Sequence, residues 1–447
     1  MTYEALRERY RAMTYDSYEY DVQPDGLHIA FSFHIGPDIA FHPHAVVESR
    51  PFLRFDQPKE VMDTIVFNIG MAELVSYWKC ACPPLVEVRC GTLDDRQAAF
   101  WRKLYWHGEG EFFYVNHIEA REDDFMTLRS APLARRHSPA ATPAATPGYL
   151  VPIGGGKDSV VTLEALKGAG HEVTPLIMNP RGATLRCAQR AGFGRESVIV
   201  INRSIDPTLL QLNKQGYLNG HTPFSAMLAT YTLLAAQLSG RHAIALSNES
   251  SANESTVACS DVNHQYSKSL EFEDDFRRHV AACVGPYRYF SFLRPLSELQ
   301  IALLFSRLGQ YHDVFRSCNV GSKQDVWCGR CAKCLFAYII LSPFMPPPAL
   351  RDIFGKDMLD DESLRPLFDQ LTGRMPVKPF ECVGTRDEVN SALSMAIERH
   401  YPARRPALLR DYQPTAPTVP LHTLCANHNL TPQEADILAR LLADALA

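Results

Sequence analysis

Residues 149–170 read YLVPIGGGKDSVVTLEALKGAG: an apolar run of strand length, three glycines, then Lys157, Asp158 and Ser159 at the head of a helix-like run. Glycine permits positive φ and leaves no side chain between the backbone N–H groups and a ligand. The N–H groups of such a turn, with the positive end of the helix that follows, form an anion nest. A phosphate is expected over Gly154, Gly155 and Gly156, with Lys157 and the Ser159 hydroxyl as further donors. Asp158 repels a phosphate unless a cation intervenes, and so points to Mg²⁺.

What surrounds the turn sets the fold class. GYLVPI, HEVTPLIM, ESVIVIN and HAIALSN are short apolar runs, separated by KDSVVTLEALKG, RGATLRCAQRAG and TPFSAMLATYTLLAAQL. This strand–helix alternation predicts an α/β domain, a doubly wound parallel sheet with helices on both faces, over 149–345. Ligands of such sheets bind beyond the carboxyl ends of the strands, where the glycine turn lies. Before it, HIAFSFHIG, DTIVFNIG and LVEVRC read as strands and DDRQAAFWRKLYWHG as a helix, giving a separate α+β domain over 1–130. Residues 131–148, which include HSPAATPAATPG, read as a linker. After SPFMPPPALR the chain reads as mainly helical over 346–447, and Thr431 is placed to cap TPQEADILARLLADALA.

Composition narrows the possibilities further. The 447 residues carry a net charge of −5, which argues against a nucleic-acid surface. No apolar run approaches the ~20 residues of a membrane span, and MTYEALRERYRAM lacks a signal-peptide core. Twelve cysteines without a secretory signal indicate reduced thiols or metal ligands in a cytoplasmic protein. Two familiar glycine motifs are excluded. The nucleotide P-loop needs glycine where Val151 stands and Ser or Thr where Asp158 stands, and the dinucleotide fingerprint needs a third, spaced glycine.

Cys318, Cys328, Cys331 and Cys334 follow the spacing C-x9-C-x2-C-x2-C. Thiolates so spaced converge on one tetrahedral ion, and four of them leave no open position, so a structural Zn²⁺ is expected and an iron–sulfur cluster is the alternative. Three polar loops should reach the ligand edge of the sheet. NGHTPF carries His221, with Thr222 placed to cap the next helix. SNESSANEST carries Asn248 and Glu249, and DVNHQYSKSLEFED carries His264, Tyr266 and Lys268.

Gly154-Gly155-Gly156-Lys157-Asp158-Ser159 resembles the pyrophosphate loop SGG-x-DS of the N-type ATP pyrophosphatases, with Gly154 in place of the serine. That resemblance implies ATP with its β- and γ-phosphates in the turn, adenine near Leu176–Asn179 and hence near Met178 and Asn179, and adenylation of a substrate oxygen. The cysteine spacing is similar to that of 7-cyano-7-deazaguanine synthases, which bind zinc there. Over the whole chain, FNIGMAELVSYWKCACPP, GYLVPIGGGKDS, NGHTPFSA, the SNESSANEST to NHQYSKSLEFE block and WCGRCAKC resemble the MurL family of peptidoglycan-precursor epimerases. This resemblance implies ATP- and Mg²⁺-dependent inversion of the terminal L-glutamate of UDP-MurNAc-L-Ala-L-Glu, after a Mur ligase has attached it. Asn248, Glu249, Tyr266 and Lys268 then become candidate substrate contacts, and His221, His264 and Cys259 candidate acid–base groups. Three other readings stay open: a deazaguanine synthase-like enzyme, a tRNA-thiolating enzyme, and a nucleotide-binding scaffold without turnover.

Overall fold

The structure, a computed structural model, describes residues 1–130, 146–257 and 262–447. The chain is mixed α/β. Its strands are β1 (Ala12–Gln23), β2 (Gly26–Ile35), β3 (Ile39–Phe41), β4 (His44–Glu48), β5 (Leu85–Val88) and β6 (Thr127–Ser130), then β7 (Thr146–Pro152), β8 (Val173–Met178), β9 (Ile199–Arg203), β10 (Arg241–Leu246) and β11 (Arg288–Ser291). Most of the expected linker, 131–145, lies outside the described residues; Thr146–Gly148 already belong to β7.

Two compact units divide the chain, and neither is continuous in sequence. The first comprises Met1–Leu150, Ile199–Ile244 and Asp261–Tyr289; the second comprises Val151–Val198, Ala245–Ser260 and Phe290–Ala447.

In the first unit β1 pairs antiparallel with β2, and β2 with β3 and β4. On the other side β5 runs parallel to β1, and β6 parallel to β5. The expected DTIVFNIG strand is instead part of the helix Lys59–Trp78. Every residue from Val61 to Trp78 is buried, so the run has no polar face to give it helical periodicity, and eight residues of it look like a buried strand. The helix Asp95–Gly108 forms as expected, closed by a reciprocal capping box between Asp94 and Gln97.

The alternating segment departs from an all-parallel sheet at β9, which pairs antiparallel with β4. β4 alternates buried Ala45 and Val47 with more exposed neighbours, and β9 supplies the buried run Ile199–Ile201 that covers its open edge. β10 does pair parallel with β7.

A buried ion pair joins the first two stretches of this unit. Arg203, at the end of β9, donates from Nε and Nη2 to the two oxygens of Glu73 at 2.6 Å each, and the Tyr231 hydroxyl donates to Oε1 at 3.1 Å.

In the second unit Ile153 N–H bonds the Leu176 carbonyl of β8 at 2.8 Å, carrying the ladder up to the glycine turn. The helix Lys157–Gly168 packs on Glu298–Ser306 and Pro432–Leu446. The C-terminal region is largely helical, with Pro347–Phe354, Arg365–Thr372 and Arg386–His400 before the last helix, and Thr431 forms the expected cap with Glu434.

Removing one partner of a buried pair leaves the other charge uncompensated, at a cost of about 3–5 kcal/mol. Glu73→Ala should therefore unfold at clearly lower urea concentration than the parent protein, followed by circular dichroism. An unchanged midpoint would mean that the pair carries no weight.

Candidate active site and metal centres

The glycine turn begins two residues after β7 and ends at Gly156, the N-cap of the helix Lys157–Gly168. Gly156 has no side chain to cap that helix, and among the described residues no side-chain cap hydrogen bond is made there. Gly155 has φ of +80°, and a Cβ there would lie 2.9 Å from Thr184 N. At Gly154 the same construction meets nothing within 4 Å. One glycine is required by the fold, and the other faces open space.

Lys157 is 5 % exposed and its ammonium is bound to Asp158 and to Glu298. Burial alone would lower its pKa, but the two carboxylates outweigh burial and hold it above the usual range. Burial pushes Glu298 up, against the pull of Lys157, and the neighbouring Asp158 and Glu249 add to the rise. Ser159 donates to the Gly156 carbonyl at 3.1 Å. Glu298 N–H donates to Glu388 at 2.8 Å, and Glu388 is itself buried. Lys157 thus sits among carboxylates, a donor set suited to a hard divalent cation such as Mg²⁺.

Asn248 donates to the Ser291 hydroxyl at 3.0 Å, while Glu249 is buried and accepts from Ser251 at 2.9 Å. Both are engaged inside the second unit. Met178 is half-buried at the end of β8, and Asn179 turns the chain with φ of +50°.

The four cysteines come together. Sγ separations are 3.9 Å for Cys318–Cys331, 3.7 Å for Cys328–Cys334 and 3.5 Å for Cys331–Cys334. Thiolates about 2.3 Å from a tetrahedral Zn²⁺ are about 3.8 Å apart, so the set fits that ion. The N–H groups of Gly321 and Cys328 also point at Cys318 Sγ, at 3.1 and 3.5 Å, as expected around a metal-bound thiolate. The cysteine loop and the residues just before it brace the glycine turn and the helix that follows β8. Arg316 N–H bonds the Gly155 carbonyl at 2.8 Å, and Asp325 accepts from Ala183 N–H at 2.8 Å while pairing with Arg186.

In the first unit His221 and His264 meet at Glu111, which sequence reasoning missed. Glu111 lies on a short helix, Gly110–Val115, of ordinary composition and gave no signal in the sequence. His264 Nδ1 bonds Glu111 Oε2, and His221 Nδ1 is 3.6 Å from the same oxygen. Burial first, then His264, pushes His221 down to about 3, so it is neutral at neutral pH. Thr222 does not cap the helix Phe224–Ser239, whose N-cap is Pro223; its hydroxyl instead receives the Lys79 ammonium. Tyr266 is buried and stacks on His107 with ring centroids 4.8 Å apart, and Lys268 is half-buried and acts electrostatically on His221. Cys259 lies outside the described residues.

Two outcomes follow from this geometry. Gly155→Ala should lower the melting temperature by several degrees while Gly154→Ala leaves it unchanged, because only the first adds a Cβ against backbone at positive φ. Equal melts would contradict the distinction. Protein purified without added metal should contain zinc at Cys318, Cys328, Cys331 and Cys334, and Cys331→Ser should lose that zinc together with thermal stability. Elemental analysis that finds neither zinc nor iron in stable protein would exclude a structural metal there.

Residues 4–292 match the MurL N-terminal domain, and residues 314–423 match the MurL C-terminal domain. A protein of Xanthomonas oryzae pv. oryzae named UDP-N-acetyl-α-D-muramoyl-L-alanyl-L-glutamate epimerase is 35% identical over 391 residues, covering 85% of this chain and 84% of its own length. Proteins of the same name from a Micromonospora species and from Salinispora tropica are 36% and 35% identical over 335 residues. Each alignment covers 73% of this chain, and 73% and 71% of those relatives. With both family domains matched in order and identity above a third along most of its length, the chain belongs to the MurL family.

Proposed function

We propose that this protein is an ATP-dependent epimerase that inverts the terminal L-glutamate of UDP-MurNAc-L-Ala-L-Glu to D-glutamate. The likeness to three relatives of that name carries the reading. The glycine turn, with Gly154 facing open space at the start of the helix Lys157–Gly168, supports ATP as the co-substrate. The reaction belongs to the cytoplasm, downstream of a ligase that supplies the L-glutamate-ending precursor.

Activation explains why an epimerase would use ATP. A proton α to a carboxylate is very weakly acidic, because its removal adds negative charge beside negative charge. The carboxylate oxygen attacks the α-phosphorus, pyrophosphate leaves, and the acyl adenylate formed is neutral at the acyl group. A base then takes the α-proton, and the electron pair moves onto the acyl oxygen as an enolate. Return of a proton to the opposite face inverts the centre, and water cleaves the adenylate to free carboxylate and AMP. The backbone N–H groups of Gly155 to Asp158 receive the β- and γ-phosphate charge. Asp158, the more exposed of the two carboxylates on Lys157, would hold Mg²⁺, which neutralises phosphate charge when bound.

Proton transfer on two faces of one carbon requires groups about 6 Å apart, each within hydrogen-bond reach. His221 and His264 converge within 4.8 Å on one carboxylate.

In heavy water, protein with ATP, Mg²⁺ and the L-glutamate-ending substrate should yield D-glutamate product with one deuterium at Cα, and omission of ATP should abolish both inversion and exchange. Chiral analysis and mass spectrometry of the hydrolysed product read both. Inversion without solvent deuterium would defeat the deprotonation route, and AMP formation with no inversion would defeat the epimerase reading.

A further inference from the structure

Glu111, His221 and His264 come from three separate stretches of the first unit, yet their donor atoms all lie within 4.8 Å of one another. His264 Nδ1 bonds Glu111 Oε2, His221 Nδ1 lies 3.6 Å from the same oxygen, and the ring centroids are 4.3 Å apart. Donors on a tetrahedral ion at about 2.1 Å are about 3.4 Å from one another, close to the His221–Glu111 separation of 3.6 Å.

The supports of this cluster are costly ones. Lys79 is buried and directs its ammonium to the carbonyls of Gly220 and His221, at 2.6 Å each, and to Thr222. Burying an ammonium to fix one loop costs solvation that ordinary loop packing does not require. Asn116 donates to the Asn219 carbonyl at 3.0 Å, and a Cβ at Gly220 would lie 3.0 Å from the Phe112 ring. His264 precedes a 3-10 turn, Tyr266–Lys268, that Asn263 closes through Gln265 N–H at 2.8 Å. Each of the two imidazoles is thus presented by a braced loop. A second observation lies two residues before Glu111. Glu109 is 0 % exposed, and neither of its carboxyl oxygens has a hydrogen-bond partner among the described residues. Buried polar groups are otherwise paired, and a bound cation is one reason for such an exception.

We propose that Glu111, His221 and His264 form a site for a divalent transition metal such as Zn²⁺, distinct from the four cysteines. Two imidazoles and a carboxylate suit that class of ion, and three protein ligands leave a position open. The site is therefore of the reactive type, where a bound ion polarises an oxygen of an anionic ligand, whereas the cysteine site is closed. The inference does not depend on the adenylate mechanism.

Cobalt substitution separates the two sites. Metal-free full-length protein titrated with Co²⁺ should bind about two equivalents, one giving intense thiolate-to-metal absorption and one giving only weak ligand-field bands. Glu111→Gln and His264→Ala should each lose the second equivalent and its weak bands, keep the thiolate absorption, and retain the parent circular dichroism. One equivalent in the parent protein overturns the proposal without need of any variant. Two equivalents retained by both variants overturns it as well.

Discussion

The ammonium of Lys157 has lost almost all contact with water, and an ion in that position must be balanced by charge close by. Asp158 and Glu298 provide the balance, and the buried Glu298 would be disfavoured as an anion without it. Much of the second unit follows from this requirement. Glu298 opens a helix whose cap is Ser297, and its own N–H is held by Glu388, which in turn closes the cap of another helix with Thr385. The lysine thus sets the first turn of the helix that carries it and the position of two helices far away in sequence. Its ammonium is committed to these two carboxylates.

The cysteine loop belongs to the same construction. Two residues before its first cysteine Arg316 holds Gly155, and inside the loop Asp325 holds the start of the helix Gly182–Arg190. The position of the four sulfurs is thus tied to the conformation of the glycine turn through these hydrogen bonds.

The turn, its flanking strand and helix, the cysteine set and the terminal cap were all legible in the sequence, because each depends on neighbours within about twenty residues. The rest depended on distant partners. DTIVFNIG carries no polar face and reads as a strand until the full buried run from Val61 to Trp78 is seen. β9 reads as a parallel strand until β4, more than 150 residues earlier, takes it in antiparallel register. Lys157 beside glycines reads as a phosphate ligand, since nothing near it in sequence announces Glu298. Glu111 was invisible for the same reason: a lone glutamate on a short helix acquires meaning only when two histidine loops arrive beside it.

The first unit needs three passes of the chain, the last ending at Tyr289. On the ribosome the opening 150 residues therefore emerge as an incomplete body. Glu73 is made 130 residues before Arg203 and must wait in a hydrophobic helix with its charge unanswered. A segment of the second unit is synthesised in that interval, so the two bodies cannot mature one after the other as consecutive domains do. Nascent chains of this protein carry exposed apolar helix and open strand edge until roughly two thirds of the polypeptide has been translated, which makes them natural clients for chaperones that shield such surfaces.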